Sequence, residues 1–342
     1  MTDAPVFHGG DLGWAEVRFG RPDRPWVDLS TGVNPWPYPI GTIRDDAWSR
    51  LPEARLEAEL CETAARYYGA SGADCVVSAP GSQVLIQLLP RLRPPARVAV
   101  LGPTYGEHVR CWEAGGHHVM TIDDDGSDGA WFDDSWDVVV VTNPNNPDGK
   151  VHQPNTLDEI ADRLAPRGGW LVVDEAFADT EPRFSLAASA NRPGRIVLRS
   201  FGKFFGLPGL RLGFALASPE IVGRIAAMLG PWAVSGPAIE IATRAFDDDA
   251  WIAATRERLT AAAACLDDVL RDVGLNPTGG SPLFRLVEYP SAASMFQSLG
   301  EHGILARHFP DQPNRLRLGL PPDDATLDLL RQALDVSRAA VN

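Results

Sequence analysis

The chain has 342 residues, 44% of them hydrophobic and 22% charged, a length and balance that suit one large domain or two medium ones with substantial cores. Its net charge of −14 and pI of about 4.9 argue against a nucleic-acid or anionic-membrane binder, both of which need a basic face, though converging arginines could still hold an anionic ligand. No run approaches 18 apolar residues, so no membrane span is expected, and neither the four cysteines nor the seven histidines show metal-ligand or disulfide spacing.

Taken in chain order, Met1-Thr-Asp-Ala-Pro lacks the basic and apolar regions of a signal peptide, which makes the cytoplasm the expected location. Cys61, Cys75, Cys111 and Cys265 then read as reduced thiols. The first 40 residues are rich in Pro, Gly and Trp and read as an irregular arm. Asp74–Ala79 predicts a strand, followed by Pro-Gly-Ser and an apolar helix over Val84–Leu92. Arg97–Leu101 predicts a second strand, and His117-His118, after Gly115-Gly116, a loop entering another. Asp137–Thr142, Trp170–Asp174, Arg195–Arg199 and Leu212–Ala217 continue the series. Continuous apolar strands alternating with helices indicate a mostly parallel sheet covered on both faces, an α/β architecture. From about Ala238 the pattern changes to Ala-rich helices (Ala238–Phe246, Ala250–Val273) and a short α+β segment. Its expected strands are Leu283–Val287 and Leu316–Leu320, its helices near Ser291–Leu299 and Asp324–Ser337.

Against 29 arginines the chain has only two lysines, Lys150 and Lys203. Arginine supplies positive charge but is never deprotonated, whereas a lysine amine can attack a carbonyl. Lys150 follows a turn and is expected to face water. Lys203 follows a strand, and its neighbours at other strand ends are polar. Ligands of open α/β sheets bind beyond the carboxyl ends of the strands. The ends here are Pro80-Gly-Ser-Gln83, Gly102-Pro-Thr-Tyr105, Asn143-Pro-Asn-Asn-Pro147, Asp174-Glu175 and Ser200-Phe-Gly-Lys203.

Each end suits one part of pyridoxal phosphate (PLP). Lys203 would bind the aldehyde. Asp174, closing an apolar strand, would keep the pyridine nitrogen protonated. The Gly81-Ser82-Gln83 amides at a helix start, the Ser200 hydroxyl and Arg211 would hold the phosphate. Tyr105 would offer an aromatic face to the ring, and Asn146 a donor to its hydroxyl. No metal is expected. Glu175 reads as a residue that orients its neighbours.

In these motifs the chain resembles the fold-type-I PLP family of aspartate and histidinol-phosphate aminotransferases: Asn-Pro-Asn-Asn146-Pro-x-Gly, Asp174-Glu-Ala-Phe, and Ser200-x-x-Lys203 with Arg211. They stand in the family's order at about its separations, 28 residues from Asn146 to Asp174 and 29 from Asp174 to Lys203. The resemblance spans roughly residues 25–335. It implies an arm over 1–42 packing on a small domain and the cleft, a large PLP-binding domain over 43–232, a small C-terminal domain over 233–342, and a homodimer. Two departures stand out. Phe177 lies where many relatives have a tyrosine that donates to the ring hydroxyl, and Leu51-Pro52 where many have a tyrosine-proline that reaches the partner subunit's cofactor.

Within that family, His8-Gly9-Gly10, Asp28-Leu-Ser-Thr-Gly-Val-Asn34-Pro35, Gly81-Ser-Gln-Val-Leu-Ile-Gln-Leu-Leu-Pro90 and Leu316-Arg317-Leu-Gly-Leu-Pro321 are similar to the threonine-phosphate decarboxylases of cobalamin biosynthesis. That branch implies decarboxylation of L-threonine O-3-phosphate to (R)-1-aminopropan-2-yl phosphate, with Lys203 as the plausible proton donor to the product carbon. Histidinol-phosphate or a related amino-acid transamination is the alternative. Arg317 aligns with the family's carboxylate-binding arginine and Arg307 with a second substrate-anion arginine. Arg315 is an alternative to Arg317, and His8, Thr31 and Asn34 are candidates for the substrate phosphate.

Overall fold

The computed structural model describes residues 9–124, 126–127 and 129–339. The chain divides into two compact units, Pro37–Ala253 and Met1–Trp36 with Ala254–Asn342. Among the described residues no helix is long and apolar enough to cross a membrane.

The Pro37–Ala253 unit is built on a seven-stranded sheet. In space the strands run Val76–Ala79, Gly213–Ala217, Arg195–Ser200, Trp170–Asp174, Val138–Thr142, Arg97–Gly102 and His118–Asp123. Only Gly213–Ala217 runs against its neighbours. The expected mostly parallel sheet is therefore present, and helices cover both faces. Alternate side chains point to opposite faces. Val77, Val98, Val100, Val138, Val140, Val172, Ile196, Leu198 and Ala215 share one core with Leu85, Trp112 and Ile225 of the helices Ser82–Leu88, Glu107–Ala114 and Pro219–Leu229. The intervening Val139, Val141, Leu171, Val173 and Val197 are equally buried, which is why these strands read as unbroken apolar runs.

Helix Gly236–Phe246, expected in the small domain, belongs to this unit. Its apolar face packs on helix Ala54–Tyr68. Phe246 stacks on Tyr67 at 4.8 Å and meets Tyr68, Phe201, Phe205 and Phe214. This aromatic cluster joins residues far apart in the chain, so no local pattern marks it. The boundary between the units falls inside helix Asp249–Asp272.

The other unit carries a four-stranded antiparallel sheet, ordered Arg307–His308, Arg315–Gly319, Phe284–Glu288 and Pro277–Ser281. Helices Ala292–Glu301 and Asp324–Ala339 accompany it. The expected strands and helices of this segment are all present within two residues or so of their bounds. Pro277–Ser281 (Pro-Thr-Gly-Gly-Ser) has no strand signature in sequence. It pairs because Gly280, at φ 151°, lets its backbone lie where a Cβ would strike the Phe284 carbonyl.

The N-terminal segment is more regular than its composition predicts. Helix Leu12–Phe19 begins at Asp11, whose carboxylate accepts the Trp14 amide at 2.9 Å, and ends at Gly20. Trp14 and Phe19 pack on Phe296, and the Arg18 guanidinium lies over all three rings. Val27–Asp28 pairs in parallel with Ile304–Leu305. The tertiary partner Phe296 holds a short helix that Pro, Gly and Trp obscure in sequence.

Candidate active site

The residues expected to hold a cofactor all belong to the Pro37–Ala253 unit, at the carboxyl edge of its sheet. Ala79, Gly213 and Ser200 lie side by side across three strands. Because Gly213 starts a reversed strand, Arg211 arrives at the edge where its neighbours end. Gly213 is obligatory there: a Cβ would collide with the Ser82 amide nitrogen. Gly81, at φ 89°, opens helix Ser82–Leu88, and a Cβ on it would lie 2.7 Å from the Arg211 guanidinium. Arg211 itself is exposed, at φ 52°, and donates to the Pro208 carbonyl at 3.2 Å. The start of a helix, a guanidinium and the half-buried Ser200 are thus gathered around two glycines. That donor set fits a phosphate group.

Asp174 ends its strand at 4% exposure. One carboxylate oxygen, Oδ1, accepts the Ala176 amide at 3.1 Å, and the other lies 2.9 Å from Nε2 of buried His108. A buried carboxylate oriented by an imidazole suits a protonated ring nitrogen. His108 was not anticipated, although a signal existed: it stands three residues after Tyr105, at the start of helix Glu107–Ala114, and so on the same side. The two rings meet edge to face at 6.1 Å. The Tyr105 hydroxyl donates to Gln83 Oε1 at 3.1 Å, and Gln83 Nε2 donates to Glu107 at 3.2 Å. Tyr105 and Gln83 are therefore coupled directly.

Lys203 lies in the one-turn helix Phe201–Phe204, half-buried, with Nζ 5.5 Å from the centre of the Phe177 ring. Asn146 is half-buried in the loop after strand Val138–Thr142. Its loop is fastened by Asn143 and Asn145. The Asn143 amide nitrogen donates to the Asp174 carbonyl at 2.8 Å, and Asn145 Nδ2 to the Pro103 carbonyl at 3.0 Å. Lys150 is exposed and anchored on Asp124, donating to its carbonyl at 2.6 Å. Glu175 is fully buried, bound by Arg199, Ser185 and the Leu186 amide.

The residues expected to meet substrate lie in the other unit. Arg307 and Arg317 are directly opposed on adjacent strands, at 9% and 4% exposure. Arg317 Nη2 donates to the Ser30 carbonyl at 2.6 Å, and its guanidinium lies 5.0 Å from the Phe284 ring. Burial first, and then the charge of Arg307, lower the Arg317 pKa to about 9, with Asp28 opposing. Arg315 is different. It is partly exposed and engaged by Glu288 at 2.7 Å and Gln312 at 2.6 Å. Thr31 follows the Ser30 that Arg317 grips, with Gly10 against its methyl group. Asn34 is buried and accepts the Trp36 amide at 2.9 Å. His8 lies outside the described residues. Ser30 was not anticipated; its hydroxyl accepts the Gly10 amide and donates to Asp28. Among the described residues, no group of three or more His, Cys, Asp or Glu side chains is placed to hold a metal ion.

An open α/β sheet with an amine, a buried acid and a donor set that fits a phosphate on its carboxyl edge suits a phosphorylated cofactor. The chain belongs to the family "Aminotransferase class I and II", whose model matches residues 42–334. It is 48% identical to a threonine-phosphate decarboxylase of Pseudomonas aeruginosa, over 96% of each chain. It is 45% identical to a threonine-phosphate decarboxylase of Sinorhizobium, over 97% of this chain and 98% of the relative. Its fold matches the crystal structure of histidinol-phosphate aminotransferase from Sinorhizobium meliloti in complex with pyridoxal-5'-phosphate, with a TM-score of 0.84, at 22% identity over 99% of this chain and 96% of that one.

Proposed function

We propose that this chain decarboxylates L-threonine O-3-phosphate to (R)-1-aminopropan-2-yl phosphate and CO2, a step of cobalamin biosynthesis, with pyridoxal phosphate as cofactor. The observation that carries the reading is identity near one half, sustained over almost the whole length of relatives that bear that activity's name.

Pyridoxal phosphate supplies, when bound, an aldehyde for the amino group and a protonated ring that accepts electrons from the breaking Cα–carboxylate bond. The residues divide the remaining work. Lys203 would hold the cofactor through its amine, and in its ammonium form would be the acid that returns a proton to the substrate Cα. Asp174 keeps the ring nitrogen protonated, and His108 fixes that carboxylate. Gly81, Ser82, Gln83, Ser200 and Arg211 hold the cofactor phosphate. Tyr105, tethered to Gln83, supports the ring face, and Asn146 donates to its hydroxyl; Phe177 has no hydroxyl to share that task. Arg317 and Arg307 bind the substrate's anionic groups, with Thr31, Asn34 and His8 assigned to its phosphate. Arg315, already bound to Glu288 and Gln312, is the weaker claimant.

Incubation of the holoenzyme with threonine phosphate alone is expected to release one CO2 per amine formed. Product that appears only when a keto acid is added would replace this reading with transamination.

We assign the functional unit to a homodimer working in the cytoplasm. Leu51, 64% exposed, lines a groove of about 400 Å³, and Trp48, 69% exposed, directly follows Ala47 of that lining. Arg44, Arg50, Arg55 and Arg244 share that groove with Asp46, Glu53, Glu59 and Glu240, so it is charge-balanced in an acidic chain and can complement itself. Trp48→Glu is expected to weaken self-association roughly thirtyfold or more, the ~2 kcal/mol of an aromatic anchor, measured by analytical ultracentrifugation. A wild-type monomer would reject the assignment.

A further inference from the structure

Beside the cofactor residues lies a charged group whose task the reaction does not assign. Arg199, Glu175 and Asp179 are buried at 2%, 0% and 1% exposure. Arg199 Nη1 donates to Glu175 Oε2 and Nη2 to Asp179 Oδ1, each at 2.6 Å. The guanidinium carbon lies 4.4 Å from the centre of the Tyr68 ring. Ser185 donates to Glu175 Oε2 at 2.5 Å and the Leu186 amide to Oε1 at 2.6 Å. Burying one cation and two carboxylates is costly, and an apolar replacement of the same volume is often as stable. The position of the group offers a reason other than stability.

Glu175 directly follows Asp174, and Arg199 directly precedes Ser200. Their strands are parallel neighbours, and the Glu175 amide continues the ladder by donating to the Leu198 carbonyl at 2.8 Å. Successive side chains alternate between the faces of a sheet. The Arg199–Glu175 pair therefore ties the two strand ends together from the face opposite Asp174 and Ser200. The second arm reaches Asp179 in the turn that follows. Phe177, whose ring lies 5.5 Å from Lys203 Nζ, stands midway between the two carboxylates that Arg199 grips.

We propose that Arg199 is a positioning residue for the cofactor. By clamping Glu175 and Asp179 with one planar fork, it fixes the 174–180 turn. It thereby sets both the Asp174 carboxylate and the Phe177 ring relative to the Lys203 amine. The proposal rests on the reading of Lys203 as the cofactor lysine. Lysine cannot replace arginine here, since an ammonium ion has charge but no rigid two-armed geometry.

The test uses holoenzyme reconstituted with pyridoxal phosphate, with Arg199→Lys and Asp179→Asn, the latter leaving the Glu175 arm intact. Visible circular dichroism per bound cofactor reports its orientation, and kcat and KM are measured separately. Arg199→Lys is expected to bind cofactor with reduced dichroism and a kcat about a hundredfold lower, as for a misplacement near 1 Å, while KM changes little. Asp179→Asn should move both in the same direction by less, and it carries the test alone if Arg199→Lys does not fold. Folded variants with wild-type dichroism and kcat, whatever their melting temperature, would make the clamp merely structural and overturn the proposal. A wild-type protein without a cofactor band, or a band that survives in Lys203→Ala, would instead overturn the reading of the site beneath it.

Discussion

Lys203→Ala is expected to lose the yellow absorbance band of the native protein and to lower kcat on the order of 10⁴-fold or more, since no other group can take the role of a displaced nucleophile. Lys203→Arg should be equally inactive. It keeps the positive charge but presents a guanidinium that stays protonated and forms no bond to an aldehyde. Lys150→Ala is the control. That lysine is exposed and held by Asp124, so both band and activity should survive its loss. With only two lysines in the chain, the comparison is complete. A band that persists in Lys203→Ala and disappears in Lys150→Ala would reverse the assignment.

The second large effect is at Arg317, where activity and stability are expected to move in opposite directions. Arg317→Met should lower kcat/KM by ~2–5 kcal/mol of lost binding, between about thirtyfold and several thousandfold, as when one partner of a buried charge pair is truncated. Its melting temperature should stay level or rise. Burial and the opposed Arg307 hold the Arg317 pKa near 9, below its unfolded value. Folding therefore disfavours the protonated form, and the charge costs stability throughout the range below about pH 9, with relief only as pH climbs through that value. A neutral side chain removes that cost, and an anionic ligand offsets it in the wild type. Arg315→Met should change kcat/KM little, because Glu288 and Gln312 already occupy its guanidinium. Thermal melting with and without substrate, beside steady-state kinetics, reads all of these. A large kcat/KM loss in Arg315→Met with none in Arg317→Met would exchange their roles.

Several residues of the site were legible because their chemistry is local. A lysine in an arginine-rich chain, an aspartate closing an apolar strand and glycines opening a helix each declare a role within a few positions. Parallel strands place their ends on one edge, so reading those ends in order is enough to assemble Ser82, Tyr105, Asn146, Asp174 and Lys203 in one unit. His108, Ser30 and the clamp at Arg199 are another matter. Each acts through a partner far off in sequence: His108 on Asp174, Ser30 on Arg317, Arg199 on Asp179 and Tyr68. The choice between Arg315 and Arg317 was equally invisible, since strand alternation puts both on one face and only the position of Glu288 separates them.

By itself the amino-acid sequence determined the α/β class and singled out Lys203 and Asp174 for the proposed roles of cofactor lysine and its acid, because periodicity and the order of strand ends are properties of the chain alone. The tertiary structure decided the rest. It placed helix Gly236–Phe246 with the large unit through the Phe246 cluster, and built a helix and a strand from Gly- and Pro-rich segments. It also chose which arginines are buried together. Those outcomes depend on contacts between distant segments, where burial and pairing outweigh local propensity.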